Sequence, residues 1–218
     1  MNGPVLVAFD GAPAAEHALS WAAAAAARRG ARLVVAATTW WPVTLEPMQP
    51  STSLVPPGCL DRAIACLPGN TVSSVEPGCV GELLACAAGL DASLIVLAAG
   101  SQAPWRALVR GADRPLAFVG PAAGPVAVEV RARRVCTDAW TLAFDLARAA
   151  GGDLKILHTA GTWHLPRAAD LAGSVVAELA GWMASYPDVA ITYRFTAAPR
   201  IRTLLRCSRA AAVLFPAR

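Results

Sequence analysis

The chain has 218 residues, 56% of them hydrophobic and 16% charged, with a formal net charge of +4. That length can bury one large or two small α/β cores. The apolar runs do not reach a membrane span: Leu33–Leu45 is broken by Pro42 and Ala92–Trp105 by Gly100 and Pro104, short of the roughly 20 apolar residues a bilayer requires. The N-terminus lacks a basic stretch followed by an apolar core, so it does not read as a secretory signal, and a cytoplasmic protein is expected. Lys155 is the sole lysine, and basic residues concentrate after position 130 while the first 130 residues carry a slight acidic excess. Such an excess usually marks a solvated face. No aromatic-basic platform or helix-turn-helix pattern accompanies it, which argues against nucleic-acid binding. The six cysteines, Cys59, Cys66, Cys79, Cys86, Cys136 and Cys207, include no CxxC and are expected as small buried hydrophobes.

In chain order, Val5–Phe9 is a continuous apolar strand ending at Asp10-Gly11, and Pro13 opens a helix that stops at Gly30. Proline suits the first helical turn because its missing N–H would be unpaired there anyway. Arg28 and Arg29 sit favourably at that helix's negative end. Leu33–Thr38 is the next strand, and 39–58 a proline-rich aromatic loop containing Trp40 and Trp41. A helix at Cys59–Leu67, a strand at Thr71–Glu76, a helix at Gly81–Ala88 and a strand at Leu94–Ala98 follow. Trp105–Arg110 reads as helix and Pro125–Val130 as the last strand of this half. The alternation implies a parallel sheet with helices on both faces. It places the Asp10 and Gly100 loops at one edge, outside the strand C-termini, where such sheets bind ligands. Gly100 ends its strand as a phosphate-cradling glycine would, since a residue without Cβ lets backbone approach an anion.

The second half repeats the order with a strand at Arg133–Thr137, a helix at Asp138–Ala150 and a strand at Leu154–His158. A loop with Trp163, a helix at Ala168–Tyr186, a strand at Val189–Phe195, a helix at Arg200–Ser208 and a strand at Ala211–Phe215 complete it. Two similarities support duplication: Arg28–Val35 corresponds to Ala149–Ile156, and an aromatic loop follows the second strand of each half. The boundary is expected near Val130–Arg131, giving domains at 1–130 and 131–218.

Val5–Leu19, Gly81-Glu82-Leu83-Leu84, Leu94–Ser101 and Pro125–Val130 resemble the universal stress protein family, as do Leu179–Trp182, Tyr186–Val189 and Ile201–Leu205. The arrangement looks like the tandem two-domain type common in actinobacteria. The resemblance implies two Rossmann-like, open parallel-sheet α/β domains in pseudo-twofold packing. The second would be truncated, without its phosphate loop and last strand. Nucleotide-binding relatives use G-x-x-G-x9-G-[S/T] for the phosphates and an aspartate after the first strand near the adenosine. On this chain that implies cofactor-binding positions at Asp10, Gly11, Val35, Gly100, Ser101 and Gly111. The match is degenerate. Ala103 replaces the second glycine, and Asp113 and Arg114 stand where the third glycine and its hydroxyl belong. Gly111-Ala112 fits only a loop two residues shorter and still lacks the hydroxyl. Asp113 adds a charge that repels phosphate, Pro104 removes an N–H donor and Trp105 adds bulk. Ala12 replaces the usual Ser or Thr. The second-half counterpart of Asp10-Gly11 reads Thr137-Asp138.

The expectation is therefore a non-catalytic regulatory or interaction module in the stress response without a cofactor, the alternative being an adenine-nucleotide (ATP or AMP) binder with a shortened loop. Its partner would be another protein or a second copy, joined through the Pro125–Val130 edge. Other chemistry finds less support. His158, His164 and Cys136 lack an obvious further metal ligand, and His158 reads as a strand-end polar residue. His17 reads as a partly exposed helix residue. Ser101 lacks the following glycine of a nucleophile elbow. Trp40, Trp41 and Trp163 read as rim packing over the sheet edge, or as filling of a dead nucleotide site.

Overall fold

The structure, a computed structural model, describes residues 3–38, 59–65, 67, 73–75, 79–99, 104–121, 123–130, 137–159, 168–196, 204–205 and 210–216. The chain forms two compact units, Met1–Arg114 and Pro115–Arg218.

Unit 1 contains β1 (Val5–Phe9), α1 (Pro13–Arg29), β2 (Leu33–Ala37), α2 (Cys59–Ala65), β3 (Ser73–Val75), α3 (Val80–Gly89), β4 (Leu94–Ala98) and α4 (Trp105–Gly111). Its strands run in the order β3-β2-β1-β4, all parallel. β1 and β4 are buried at every position, which is why they read as unbroken apolar runs rather than alternating ones. α1 turns Ala15, Ala18, Leu19, Ala22, Ala25 and Ala26 inward; the three-and-four spacing makes one face, and alanine favours the helix. Gly30 ends the helix in the left-handed region at φ 59°. There its N–H reaches Ala27 O, and the Ala31 N–H reaches Ala26 O, a pairing that satisfies the last carbonyls.

Unit 2 contains β5 (Leu116–Val119), β6 (Val126–Val130), α5 (Thr137–Ala149), β7 (Asp153–Thr159), α6 (Ala168–Ser185), β8 (Ala190–Thr196) and β9 (Ala212–Phe215). The order is β5-β9-β6-β7-β8. β5 is antiparallel to β9, and the other pairs are parallel.

The duplication is visible in the register. Val5 faces Leu33 on β2 and Leu94 on β4. Val126 faces Leu154 on β7 and Ala212 on β9. The helix ends match as well: Gly151 N–H reaches Arg148 O and Gly152 N–H reaches Ala147 O, as Gly30 and Ala31 do in unit 1. The fold is thus two tandem Rossmann-like α/β units whose four parallel strands follow one order, with the antiparallel strand β5 added in unit 2.

Several sequence expectations differ from this. The units divide at Arg114–Pro115 rather than Val130–Arg131. Val126–Val130 does not close the first half; it lies inside the unit 2 sheet, bonded to β7 on one side and β9 on the other. Both edges of that strand are used, so the expected self-association through Pro125–Val130 has no free backbone to work with. Thr137 begins α5 instead of ending a strand, and residues 133–136 lie outside the described residues. β5 was not anticipated: four apolar residues between two prolines are too short for periodicity to identify. No helix among the described residues is long and apolar enough to cross a membrane.

Candidate functional site

The edge formed by the strand C-termini of unit 1 is built around β1, which has β2 on one side and β4 on the other. The crossovers leave β1 in opposite directions, so a crevice is expected beyond its end. Asp10 follows β1 here, half-buried, and its Oδ1 accepts the Ala12 N–H at 3.1 Å. This is the turn an aspartate makes with its own chain two residues on. It also sets a carboxylate beside the positive end of α1. Ala12, the N-cap, makes no side-chain capping bond. Gly11 stands at φ 74°, a left-handed turn that glycine permits without strain. The strand-loop-helix junction is therefore self-contained.

Other expected positions lie apart from that junction. Val35 is fully buried in mid-strand, paired with Val7 and Ser74, so its side chain is core. Gly111 is the last residue of α4. A Cβ there would come within 2.9 Å of Leu84 Cδ1 on α3, so the glycine serves close helix approach. Gly100 and Ser101 lie outside the described residues, as do Trp40, Trp41 and Trp163. Asp113 is exposed, and Arg114 pairs with Asp91 at 2.9 Å.

The sequence reading did not single out Thr38 as a site residue. Its N–H donates to Phe9 O at 2.9 Å, fixing it at the same edge as Asp10. It is 2% exposed, and its hydroxyl finds no hydrogen-bond partner among the described residues. Leaving such a group unpaired costs about 1–3 kcal/mol. Its only sequence signal was a hydroxyl at the end of an aliphatic strand.

In unit 2 the register moves the counterpart of Asp10. Counting on from Val5 to Asp10, and equally from Val126, reaches Arg131 rather than Thr137-Asp138; Arg131 itself lies outside the described residues. The strand ends also differ in kind. His158 is 2% exposed and Glu129 3%, and Tyr193 Oη and His158 Nδ1 share a hydrogen bond of 2.8 Å. Burial lowers the His158 pKa from its ordinary value, and the Glu129 charge partly opposes that. Burial raises that of Tyr193. His17 contacts Pro13 O at 3.3 Å within α1 and is exposed.

Among the described residues no cluster of three His, Cys, Asp or Glu could hold a metal; His164 and Cys136 lie outside them. The free cysteines described are Cys79, which is exposed, and Cys86, which is half-buried and whose thiol pKa is raised by burial. The exposure of Cys79 departs from the expectation of uniformly buried cysteines, because it sits at the start of α3 ahead of the helix's buried face.

These features define an α/β protein with an open parallel sheet whose strand C-termini form one edge. The profile described as the universal stress protein family matches residues 1–112, more than half of the chain, and the chain belongs to that family. A functionally unknown protein from Pseudomonas aeruginosa PAO1 is similar in fold over 99% of this chain and 92% of its own, at 14% identity and a TM-score of 0.59. A universal stress protein from Archaeoglobus fulgidus DSM 4304 is similar over 96% of this chain and 84% of its own, at 14% identity and a TM-score of 0.51. At such identities the likeness is one of fold. No curated protein matches the chain.

Proposed function

We propose that the protein is a non-catalytic interaction module of the stress response that does not use ATP. The observation that carries this reading is the state of the expected binding positions. The Asp10 carboxylate is engaged by the Ala12 N–H, Val35 is buried in mid-sheet, and Gly111 accommodates Leu84. Residues 103, 113 and 114 add an alanine, an acid and an arginine where relatives that bind nucleotide would have glycine and a hydroxyl. Such a chain keeps the scaffold of the family, and its role is to present surface to another protein.

A second reading rests on Thr38. A buried hydroxyl beside the Asp10 junction, without a hydrogen-bond partner among the described residues, is what a small polar ligand, adenine nucleotide included, would satisfy. Thermal-shift titration with ATP, ADP and AMP, with and without Mg²⁺, separates the two. The first reading expects no shift at millimolar nucleotide. A saturable rise in Tm that disappears in Asp10→Ala would establish the second, because a ligand at 100 times its Kd adds about 2.7 kcal/mol.

A further inference from the structure

The two units answer the same fold with different residues at one place. Phe9 is paired with Ala37 in unit 1; its counterpart Val130 is paired with His158 in unit 2. Glu129 takes the place of Ala8. Tyr193, paired with Ile156, takes the place of Ser74, which is paired with Val35. Unit 1 fills these three positions with Ala37, Ala8 and Ser74, so the fold itself has no need of two buried titratable groups and a half-buried tyrosine. Burying such groups costs free energy unless they are paired. The pleat puts His158 and Tyr193 on one face of the sheet, and Glu129, Lys155 and Arg194 on the other. The hydrogen bond between His158 and Tyr193 joins β7 to β8, which is the last strand of the unit 2 order. On the outer strand, Thr192 and Arg194 are exposed.

We infer that His158 and Tyr193, with Glu129 behind them, form an acid-sensitive latch that holds strand β8 onto the unit 2 sheet. While the imidazole is neutral, Nδ1 accepts the Tyr193 hydroxyl proton. On protonation Nδ1 becomes a donor, the tyrosine has to reverse its role, and a cation stands in a site with almost no solvent. Opening of β8 then exposes the imidazolium to water.

The charged and titratable groups of the neighbouring elements are Glu129 on β6, Asp153 and Lys155 on β7, and Tyr193 and Arg194 on β8. α5 contributes Asp138, Asp145 and Arg148, and α6 contributes Asp170 and Glu178. Asp145 bonds Tyr186, and Arg148 pairs with Asp188. The charge that acts on His158 is that of Glu129, which favours the protonated form without overcoming burial. Because the folded state holds the proton less tightly than the unfolded chain, the latch is closed above a pH of about 6.5. It weakens as pH falls from there toward the lower folded value.

The test is an NMR titration of the full chain across pH 5 to 8, following the His158 imidazole signals and hydrogen exchange of the β8 amides after correction for intrinsic rates. His158 should titrate below the ordinary histidine range, and Glu129→Gln should move its midpoint lower still. The opening constant of β8 should rise by up to about tenfold per pH unit within that window, and His158→Gln should abolish that pH dependence. An ordinary or raised His158 midpoint would overturn the latch. So would β8 protection that is indifferent to pH, or that keeps its pH dependence in His158→Gln. If His158→Gln does not fold, the wild-type titration together with Tyr193→Phe decides. Tyr193→Phe should raise β8 exchange at neutral pH, and unchanged exchange would sink the proposal.

Discussion

Gly30 and Gly152 both follow alanine-rich helices, yet they differ in what a side chain would meet. Gly30 has φ 59° and open space around it, whereas Gly152 has φ 93° and a Cβ there would lie 2.8 Å from the Asp188 carbonyl oxygen. Gly30→Ala is expected to cost about 1 kcal/mol, the penalty of a left-handed alanine. Gly152→Ala should cost about 3 kcal/mol or more, since strain and a backbone clash combine. Denaturant unfolding of the two variants checks this, and equal losses would refute it. Thr38→Val should leave stability unchanged or raise it by about 1 kcal/mol, because it removes a buried hydroxyl that has no partner among the described residues; a loss of several kcal/mol in a melting experiment would show that the hydroxyl is satisfied. The glycine at the end of α1 was legible in the sequence because arginines precede it and a strand follows. The burial of Thr38 and of Glu129 was not, since burial depends on which strands become neighbours.

Between elements, the best-defined junction is where α6 meets α5. Phe144 stacks on Trp182 with ring centroids 6.1 Å apart and lies 5.0 Å from Tyr186. Arg148 lies 4.2 Å over the Tyr186 ring and pairs with Asp188 at 3.1 Å. Tyr186 Oη donates to Asp145 Oδ1 at 2.8 Å. Burial raises the Tyr186 pKa, the Asp145 bond and charge add to that, and Arg148 opposes them. Tyr186→Phe keeps the ring contacts and loses one hydrogen bond to a charged group, so about 1–2 kcal/mol should disappear. The same loss in an Asp145→Ala background would mean the bond does not carry the effect. The small strand β5 offers a second check. Phe118 is buried and meets Phe215 edge-on at 5.4 Å, so Phe118→Ala should cost about 3–5 kcal/mol, read as a lowered unfolding midpoint. The long helices α1 and α5 were readable from composition and the glycines that end them, and α6 from composition alone. β5 was not, because four residues carry no period, and its antiparallel partner β9 lies far along the chain.

At the scale of the molecule, the division of the chain can be tested by cutting it. A fragment of residues 115–218 retains β5 to β9, and one of 131–218 loses both β5 and the interior strand β6. The first should show native-like circular dichroism and resist limited proteolysis, while the second should not fold. Equal behaviour would return the boundary to Val130. The sequence by itself determined the α/β alternation, the duplication and the family, because these rest on local propensity, buried apolar runs and motifs contiguous in the chain. It also determined which residues stand at 103, 113 and 114, an alanine, an acid and an arginine. Only the tertiary structure decided that Val126–Val130 lies inside the second unit, that Gly111 serves packing against Leu84, and that His158 meets Tyr193. Each of those depends on pairing between segments distant in sequence, and strand register is fixed by contacts that no local window contains.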